Sequence, residues 1–533
     1  MTARGDAIHD LIAAVHAVRA AAAEVSYPLP LPSADPARAE AAALLAQVDD
    51  YALPRLTRLD APLLVVVGGS TGAGRSTLVN SLVRAPVSPA GVLRPTTRTP
   101  VLVCNPVDTA WFRSGGLLTS GVVTQLIAAP ALAAGLALLD VPDFGQVLDP
   151  RSGPAVRAGL GQGRDAVVDE NRALAHQLLA AADLWLFVTT AARYADAVPW
   201  ELLHLARERG TVVALVLDRV PQHGSGPVEV VGHLTELLTA HGLASVPLFV
   251  LPETRVDGQG LLPEEAVSPL RVWCDGLSGD APAREAVARC TLDGALAALP
   301  RRIEALAAAA AEQATTAVAL AEMVGMAYGG SRAGLEHDLA EDAALDPGRP
   351  VRGARRARPS RTGGAAATHA SRTGIAIRDH LDPGAARLVA VVCAAAAEAA
   401  EQARLAWRSN PTGYALLTPE LARSSPGLPG QVERLIRGGD GMSPEELLAR
   451  VGHLLDAEAA RWLDRLAGVP PDGGPVRLRA AGAALERARV AAALGTEPAP
   501  VTPVPPPNQD GSGLAADSAA GAGLTESSGM AAR

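Results

Sequence analysis

The sequence predicts an α/β domain with a doubly wound, mostly parallel sheet, flanked by N-terminal helices and by a C-terminal helical bundle or stalk. Short, continuously apolar runs alternate with helical segments between residues 59 and 262, which is typical of parallel strands buried on both faces. Ala/Leu-rich helical patterns precede and follow that region. At 533 residues the chain is longer than a single hydrophobic core usually supports, so several domains are expected.

Residues 1–58 are predicted to form the N-terminal helices. Two Ala/Leu-rich segments are separated by a proline-containing link at 28–36, and the second segment ends near Pro54. Proline interrupts a helical pattern because it lacks a backbone donor, so we expect two helices here.

Six apolar runs between residues 59 and 262 predict the strands of the sheet. They are Leu63–Val67, Val101–Cys104, Leu136–Leu139, Leu184–Thr189, Val212–Leu217 and Pro247–Leu251. The helical segments between them provide the crossover connections that parallel strands need.

Strand signals cease after the sheet region. Residues 263–467 are predicted to form a helical bundle or stalk, with breaks at Pro300, near 347–374 and near Pro411. Residues 468–533 are predicted to be a mostly disordered Pro/Ala/Gly-rich tail with one short helix around 480–494, because such a composition buries little apolar surface.

The strongest motif joins the first strand to the helix that follows it. Residues 68–77 read G-G-S-T-G-A-G-R-S-T, close to the P-loop pattern G-x-x-x-x-G-K-[ST]. Glycines let backbone N–H groups turn towards phosphates, and the helix N-terminus adds its positive dipole. An ordinary glycine-rich turn is the alternative. The predicted nucleotide-binding residues are Gly69, Ser70, Thr71, Gly72, Ala73, Gly74, Arg75, Ser76 and Thr77.

Arg75 stands where the P-loop pattern has lysine. All 47 basic residues of the chain are arginine, so the replacement accompanies a general absence of lysine. A planar guanidinium is wider than an ammonium and differs in its hydration. Two interpretations stay open: Arg75 takes over the catalytic role of the lysine, or the site binds nucleotide without turning it over.

Three side chains are predicted to surround Mg²⁺. Ser76 would offer its hydroxyl. Thr97, or its neighbour Thr96, lies in a polar loop before the second strand, where a threonine can ligate the metal and sense the γ-phosphate, so Thr97 is also a predicted catalytic residue. A plain polar loop is the alternative there. Asp140 directly follows the third predicted strand, at the edge where a carboxylate faces the P-loop.

The fifth predicted strand ends at the residues that should recognise a base. A GTPase usually places N-K-x-D here, whereas this chain has Asp218-Arg219-Val220-Pro221. Pro221 has no group that can pair with guanine, so this motif does not support guanine specificity. Arg219 could stack over a base and Asp218 could take part in recognition, while a plain turn at the end of the strand is the alternative.

Taken in order, these motifs resemble the dynamin-like P-loop GTPases, in particular the actinobacterial dynamin-related group. The matching segments cover residues 62 to about 255: G-G-S-T-G-A-G-R-S-T-L-V-N-S-L, R-P-T-T-R-T-P-V-L-V, D-V-P-D-F, the run from Trp185 to Trp200, and V-L-D-R-V-P. The chain departs from the family pattern at Arg75, Asp143, Pro221 and Thr71. The last of these stands where eukaryotic dynamins have a water-positioning glutamine.

The resemblance implies GTP and Mg²⁺ as cofactors and magnesium-sphere roles for Ser76, Thr97 and Asp140. It also implies that the nucleotide-binding head associates, as a homodimer or with a related GTPase, and thereby moves the helical stalk. Two alternatives stay open: a catalytically silent pseudo-GTPase scaffold that partners an active GTPase, and a P-loop protein that uses ATP.

Charge bears on the remaining partners and on localisation. A net charge of -9 argues against nucleic acid as a partner. Charged residues interrupt the apolar pattern of the N-terminus, so we expect a cytoplasmic protein. The segment 347–378 holds eight arginines and no acidic residue. It predicts peripheral contact with an anionic membrane at the inner face, with a solvated linker as the alternative.

Overall fold

The computed structural model describes residues 3–69, 72–89, 100–113, 124–141, 180–196, 200, 203–204, 206–207, 209–223, 226–341, 383–421, 423–438, 443–469 and 473–493. Its centre is a sheet of seven strands: β1 Leu63–Gly69, β2 Val101–Cys104, β3 Gln125–Ala128, β4 Leu136–Asp140, β5 Leu184–Thr190, β6 Val212–Val220 and β7 Leu248–Pro252. The strand order is β3-β2-β4-β1-β5-β6-β7.

Strand pairing confirms the mostly parallel sheet. β1 is the central strand and pairs in parallel with β4 on one side and β5 on the other. The exception is β2, which runs antiparallel to β4. All six predicted strands are present, whereas the edge strand β3 was not predicted. Its four residues are half-buried or exposed, so they lack the continuous apolar run that revealed the others.

Helices surround the sheet and extend beyond it. Before it lie α1 Ala3–Glu24, α2 Ala34–Gln47, a π-helical turn Val48–Ala52 and α3 Leu53–Thr57. Within the sheet region lie α4 Arg75–Val83, α5 Thr109–Arg113, α6 Gly226–Ala240 and, after β7, α7 Glu264–Gly279. The remainder comprises α8 Ala281–Glu341, α9 Pro383–Arg408, α10 Pro411–Leu416, α11 Leu428–Arg437, α12 Pro444–Leu463 and α13 Gly474–Ala492.

Both faces of the sheet are covered, as the doubly wound prediction requires. Alternate residues of β1 point to opposite faces, because successive side chains of a strand do so. Leu64 and Val66 join a core that includes residues of α1, α2, α8 and α13. Leu63, Val65 and Val67 join a second core with α4 and α7. The N-terminal and C-terminal helices therefore share one core beneath the sheet.

Helix α8 connects the sheet to the distal part of the bundle. It has 61 residues, which corresponds to a length of about 90 Å. The predicted break at Pro300 is wrong, because the helix continues through this residue. Proline removes one backbone hydrogen bond, but Leu299 and Ile303 beside it are buried in the shared core, and this packing holds the helix together.

Two tryptophans mark the core of the distal bundle. Trp407 of α9 and Trp462 of α12 pack edge-to-face, with ring centroids 5.1 Å apart, and the Trp407 indole N–H donates to the carbonyl of Leu320 on α8 (3.0 Å). The predicted helix near 480–494 begins earlier, at Gly474. It packs through residues such as Leu478 and Leu485 into the core beneath the sheet.

Two predicted segments cannot be compared with the fold. The basic segment 347–378 and the tail beyond residue 493 lie outside the described residues. Among the described residues, no helix combines the length and the apolar composition that crossing a bilayer requires.

Candidate functional site

Gly69 and Gly74 flank the turn between β1 and α4 that the sequence predicts to be a phosphate cradle, and the structure describes this turn except for residues 70 and 71. Gly69 ends β1 with φ of +144°, and a Cβ there would lie 1.9 Å from the carbonyl oxygen of Val188 on β5. Gly74 caps α4 with φ of +86°, and a Cβ there would lie 2.8 Å from an Asp218 carboxylate oxygen. Both positions require glycine. The two glycines therefore lie close against β5 and β6.

Arg75 opens α4 from within this turn. Its side chain is buried, and its Nη1 donates to the carbonyl oxygen of Gly69 (3.1 Å). The guanidinium thus bonds to the backbone of the turn itself. A lysine at this position would present three donors on a compact head, whereas arginine presents five in a planar fork.

Ser76 and Asp140, two of the predicted magnesium ligands, contact each other beside the cradle. The Ser76 hydroxyl donates to Asp140 Oδ2 over 2.6 Å. Ser76 lies in the first turn of α4, and Asp140 is the last residue of β4, which neighbours β1. Parallel pairing brings the carboxyl ends of β1 and β4 to the same edge, so residues 64 apart in sequence come into contact.

Asp140 is completely buried. Its Oδ1 has no hydrogen-bond partner among the described residues. Burial raises the pKa of this carboxyl, and hydrogen bonds from Ser76 and Ser88 and the charge of Arg75 oppose that rise. A buried carboxylate oxygen without a partner is costly. A cation or a water molecule of its shell would satisfy it.

These residues fit the Mg²⁺ that the resemblance implies. Mg²⁺ prefers oxygen ligands and usually keeps several waters, and the pair supplies a hydroxyl and a carboxylate with one unused oxygen. The N-terminus of α4 adds a positive end for the phosphates. Among the described residues, no group of three or more His, Cys, Asp or Glu side chains could hold a metal ion.

Asp218 and Arg219 lie within β6, at the same edge. The strand continues to Val220, three residues beyond the predicted end, with an irregularity between Leu217 and Val220. Arg219 takes a left-handed φ of 57° there. Its backbone N–H donates to Asp218 Oδ1 (2.8 Å). Burial raises the pKa of Asp218, and the N–H and charge of Arg219 oppose that rise.

The Asp218 carboxylate lies beside Gly74. The Arg219 side chain is 54% exposed, and its Nε lies 3.8 Å from Asp218 Oδ2. This arrangement is compatible with contact to a base, although Pro221 beside them offers no hydrogen-bonding side chain.

Several predicted residues lie outside the described part of the chain. These are Ser70, Thr71, Thr96, Thr97 and Asp143. Ala73 is buried within the turn, and the carbonyl of Thr77 accepts a hydrogen bond from the Ser81 hydroxyl (2.6 Å). One contact was missed by sequence reasoning: the buried hydroxyl of Ser88 also donates to Asp140 Oδ2. A lone serine in a short connection carries no motif, so only the folded contact reveals it.

The sequence matches no protein-family model, and no curated protein matches it. Among solved structures, the chain is similar to one described as an oligomerised bacterial dynamin pair that provides a mechanism for the long-range sensing and tethering of membranes. That match has 10% identity and a TM-score of 0.28 and covers 85% of this chain and 75% of the other. A second structure with the same description has 9% identity, a TM-score of 0.30 and coverages of 88% and 94%. Since both TM-scores are low, the function has to be argued from the residues of this chain.

Proposed function

We propose that this chain is a dynamin-like P-loop protein whose head binds a nucleotide with Mg²⁺ and associates with another head, moving the helical stalk. The observation that carries the proposal is the contact of Ser76 with Asp140 beside the cradle, at the edge of the sheet where α4 begins. Oδ1 of this buried carboxyl has no hydrogen-bond partner among the described residues, so it is available to a cation or to a water molecule of its shell.

Each residue has a distinct role in the proposed site. Backbone N–H groups of the turn and of the first turn of α4 hold the phosphates. Ser76 and Asp140 hold Mg²⁺, which when bound neutralises phosphate charge. Thr97 completes the metal shell and senses the γ-phosphate. Asp218 and Arg219 contact the base. We take GTP as the nucleotide because of the resemblance, with ATP as the alternative.

Calorimetric titration with GTP and with ATP, each with Mg²⁺ or with EDTA, tests the proposal. We expect binding to the wild type that Mg²⁺ strengthens, and Ser76→Ala should lose most of that strengthening. Thr235→Ala is a matched control, because Thr235 is exposed and its hydroxyl donates only to a carbonyl within α6. Absence of binding by the folded wild type to either nucleotide would refute the proposal.

A catalytically silent scaffold is the second candidate, and Arg75 favours it. Its guanidinium is wider than the lysine ammonium of the pattern and already uses one of its five N–H groups on the carbonyl oxygen of Gly69. Phosphate release by the wild type and by Arg75→Lys separates the candidates. Turnover gained only in Arg75→Lys supports the scaffold, and equal turnover in both variants supports an active NTPase.

The basic segment 347–378 supplies the proposed contact with anionic lipid. Its eight arginines would each contribute about 1 kcal/mol close to an anionic surface. Flotation with vesicles of phosphatidylcholine, with and without phosphatidylserine or cardiolipin, tests this part. Binding only to the anionic vesicles is expected, and equal behaviour towards both kinds would refute membrane contact.

A further inference from the structure

The connection that follows α4 contains a second hydroxyl at the proposed magnesium site. Ser88 is only 3% exposed. Its Oγ donates to Asp140 Oδ2, the same oxygen that accepts the Ser76 hydroxyl. Two hydroxyls therefore share one carboxylate oxygen, while Oδ1 of the same carboxylate has no partner among the described residues.

Asn80 holds the backbone on both sides of this serine. Its Oδ1 accepts the N–H of Val87 (2.9 Å) and the N–H of Ser88 (2.8 Å), and its Nδ2 donates to the carbonyl oxygen of Ser88 (2.8 Å). Asn80 is itself 3% exposed and lies one turn after Ser76 on α4. A single side chain thus fixes Ser88 to the helix that begins at the cradle.

The shared oxygen has a consequence for the orientation of Asp140. A carboxylate that accepts two hydrogen bonds on Oδ2 cannot rotate without losing both, so Oδ1 is held in one place. A hydroxyl can donate its proton while its lone pairs remain available. Ser76 can therefore keep its bond to Asp140 when it approaches a cation, whereas Ser88 provides the second anchor of the carboxylate.

We propose that Ser88, held by Asn80, is a positioning residue for Mg²⁺ that orients the Asp140 carboxylate and ties the connection after α4 to the metal site. This inference rests on the proposed nucleotide and Mg²⁺ binding. Thr97 lies nine residues after Ser88 in the sequence and outside the described residues.

The test measures how nucleotide affinity depends on free Mg²⁺. Groups that orient metal ligands typically change metal affinity 10–100-fold when they are removed. In Ser88→Ala we expect the Mg²⁺ concentration that gives half of the gain in GTP affinity to rise about tenfold or more. Affinity in EDTA should be unchanged. Ser88→Thr keeps the hydroxyl and should move the midpoint less.

Ser81→Ala is the matched control. Ser81 is also a buried serine of α4, but its hydroxyl donates to the carbonyl of Thr77 and accepts the N–H of Leu262 (2.8 Å), and it makes no bond to Asp140. We expect this variant to lower the thermal unfolding midpoint in EDTA and to leave the Mg²⁺ midpoint unchanged. A purely structural serine at 88 would give the same pattern.

The outcomes separate the two proposals. If the wild type binds GTP and ATP neither with nor without Mg²⁺, both proposals fall. If it binds nucleotide with a Mg²⁺ dependence that Ser88→Ala leaves unchanged, the role of Ser88 is refuted and the proposed function stands. A raised Mg²⁺ midpoint in Ser88→Ala but not in Ser81→Ala supports the inference.

Discussion

One aspartate is buried at each end of the strands of the central sheet, and the two carboxylates have different bonding partners. Asp183 precedes β5 at the edge where the N-terminal helices attach, and Arg55 of α3 pairs with it; both side chains are 0% exposed. Asp140 ends β4 at the opposite edge, where its described partners are two hydroxyls. Oδ1 of each carboxyl has no partner among the described residues, so the contrast lies at Oδ2, which meets a guanidinium and a backbone N–H at Asp183 and two hydroxyls at Asp140. A carboxylate held by hydroxyls beside a glycine-rich turn is a candidate ligand site.

The network around Asp183 joins three parts of the chain. Arg55 also donates to the carbonyls of Ala61 (3.0 Å) and Pro62 (2.9 Å). Asp183 Oδ2 accepts the N–H of Leu64 on β1 (2.7 Å). The Thr291 hydroxyl of α8 donates to the Asp183 carbonyl (2.7 Å). This edge thus connects α3, the sheet and the long helix through bonds that exclude water.

Removal of Arg55 should produce the largest effect on stability. Arg55→Met leaves a buried carboxylate without its counter-ion and two carbonyls without a donor. Such changes cost about 3–5 kcal/mol, which denaturation monitored by circular dichroism can measure. Where the variant remains folded, its affinity for GTP and Mg²⁺ should equal that of the wild type, because the Arg55 pair lies at the far edge.

A second substitution isolates the charge. Asp183→Asn keeps an acceptor for the Leu64 N–H and removes the negative charge. The double variant Arg55→Met/Asp183→Asn should therefore be more stable than Arg55→Met alone. If the second substitution instead destabilises the protein further, the loss in Arg55→Met comes from packing, and the contrast between the two aspartates fails.

A smaller effect is expected from the hydroxyl of Thr291. It is 2% exposed, donates to the carbonyl of Asp183 and accepts the N–H of Val212 at the start of β6 (3.2 Å). Thr291→Val keeps the shape and leaves both backbone groups unpaired, at a cost of about 1–3 kcal/mol. Thr291→Ser should cost less in the same denaturation experiment. Equal losses in both would mean that the methyl group of Thr291 contributes as much stability as its hydroxyl.

The sequence predicts one of these edges far better than the other. At the cradle, the turn from Gly69 to Ser76 follows a strand and precedes a helix. Some of its positions require glycine for steric reasons, so the sequence there has a recognisable motif. Asp140 was predicted to face the P-loop because it ends a parallel strand, whereas its hydrogen bond to Ser76 is seen only in the fold. Arg55 and Asp183 belong to no motif and are 128 residues apart, so their pairing depends on packing that a single sequence does not reveal.

Other differences have equally local causes. The sequence predicts a helix break at Pro300, but α8 continues through this residue because Leu299 and Ile303 are buried in the shared core. The edge strand β3 was missed because its residues are half-buried or exposed and form no continuous apolar run. Ser88 was missed because no sequence motif marks it, and only its hydrogen bond to the Asp140 carboxylate identifies it.

Removal of the charge of Asp140 should raise the free energy of unfolding, whereas removal of Arg55 should lower it. Asp140→Asn keeps an oxygen that accepts the hydroxyls of Ser76 and Ser88 and removes a buried charge. We expect the protein in EDTA to gain about 1 kcal/mol of stability, as often occurs when a strained functional site is relieved. The strengthening of nucleotide binding by Mg²⁺ should be lost. A loss of stability in EDTA would mean that the carboxylate is already compensated.

The smallest expected effect is the pH dependence of the stability gained by Asp140→Asn, and it tests the comparison of Asp140 with Asp183. Burial raises the pKa of Asp140 in the folded protein above the ordinary 3.8, so the folded state holds the proton more tightly than the unfolded state does. The stability that this group contributes is therefore present below 3.8 and is lost as pH rises through the raised pKa. Asparagine does not titrate, so Asp140→Asn does not lose this stability. The free energy of unfolding of the variant in EDTA should therefore exceed that of the wild type by an amount that grows as pH rises through this range. Thermal unfolding of both proteins from pH 4 to 8 measures the difference, to which groups common to both contribute equally. A difference that stays constant over this pH range would contradict the raised pKa of Asp140.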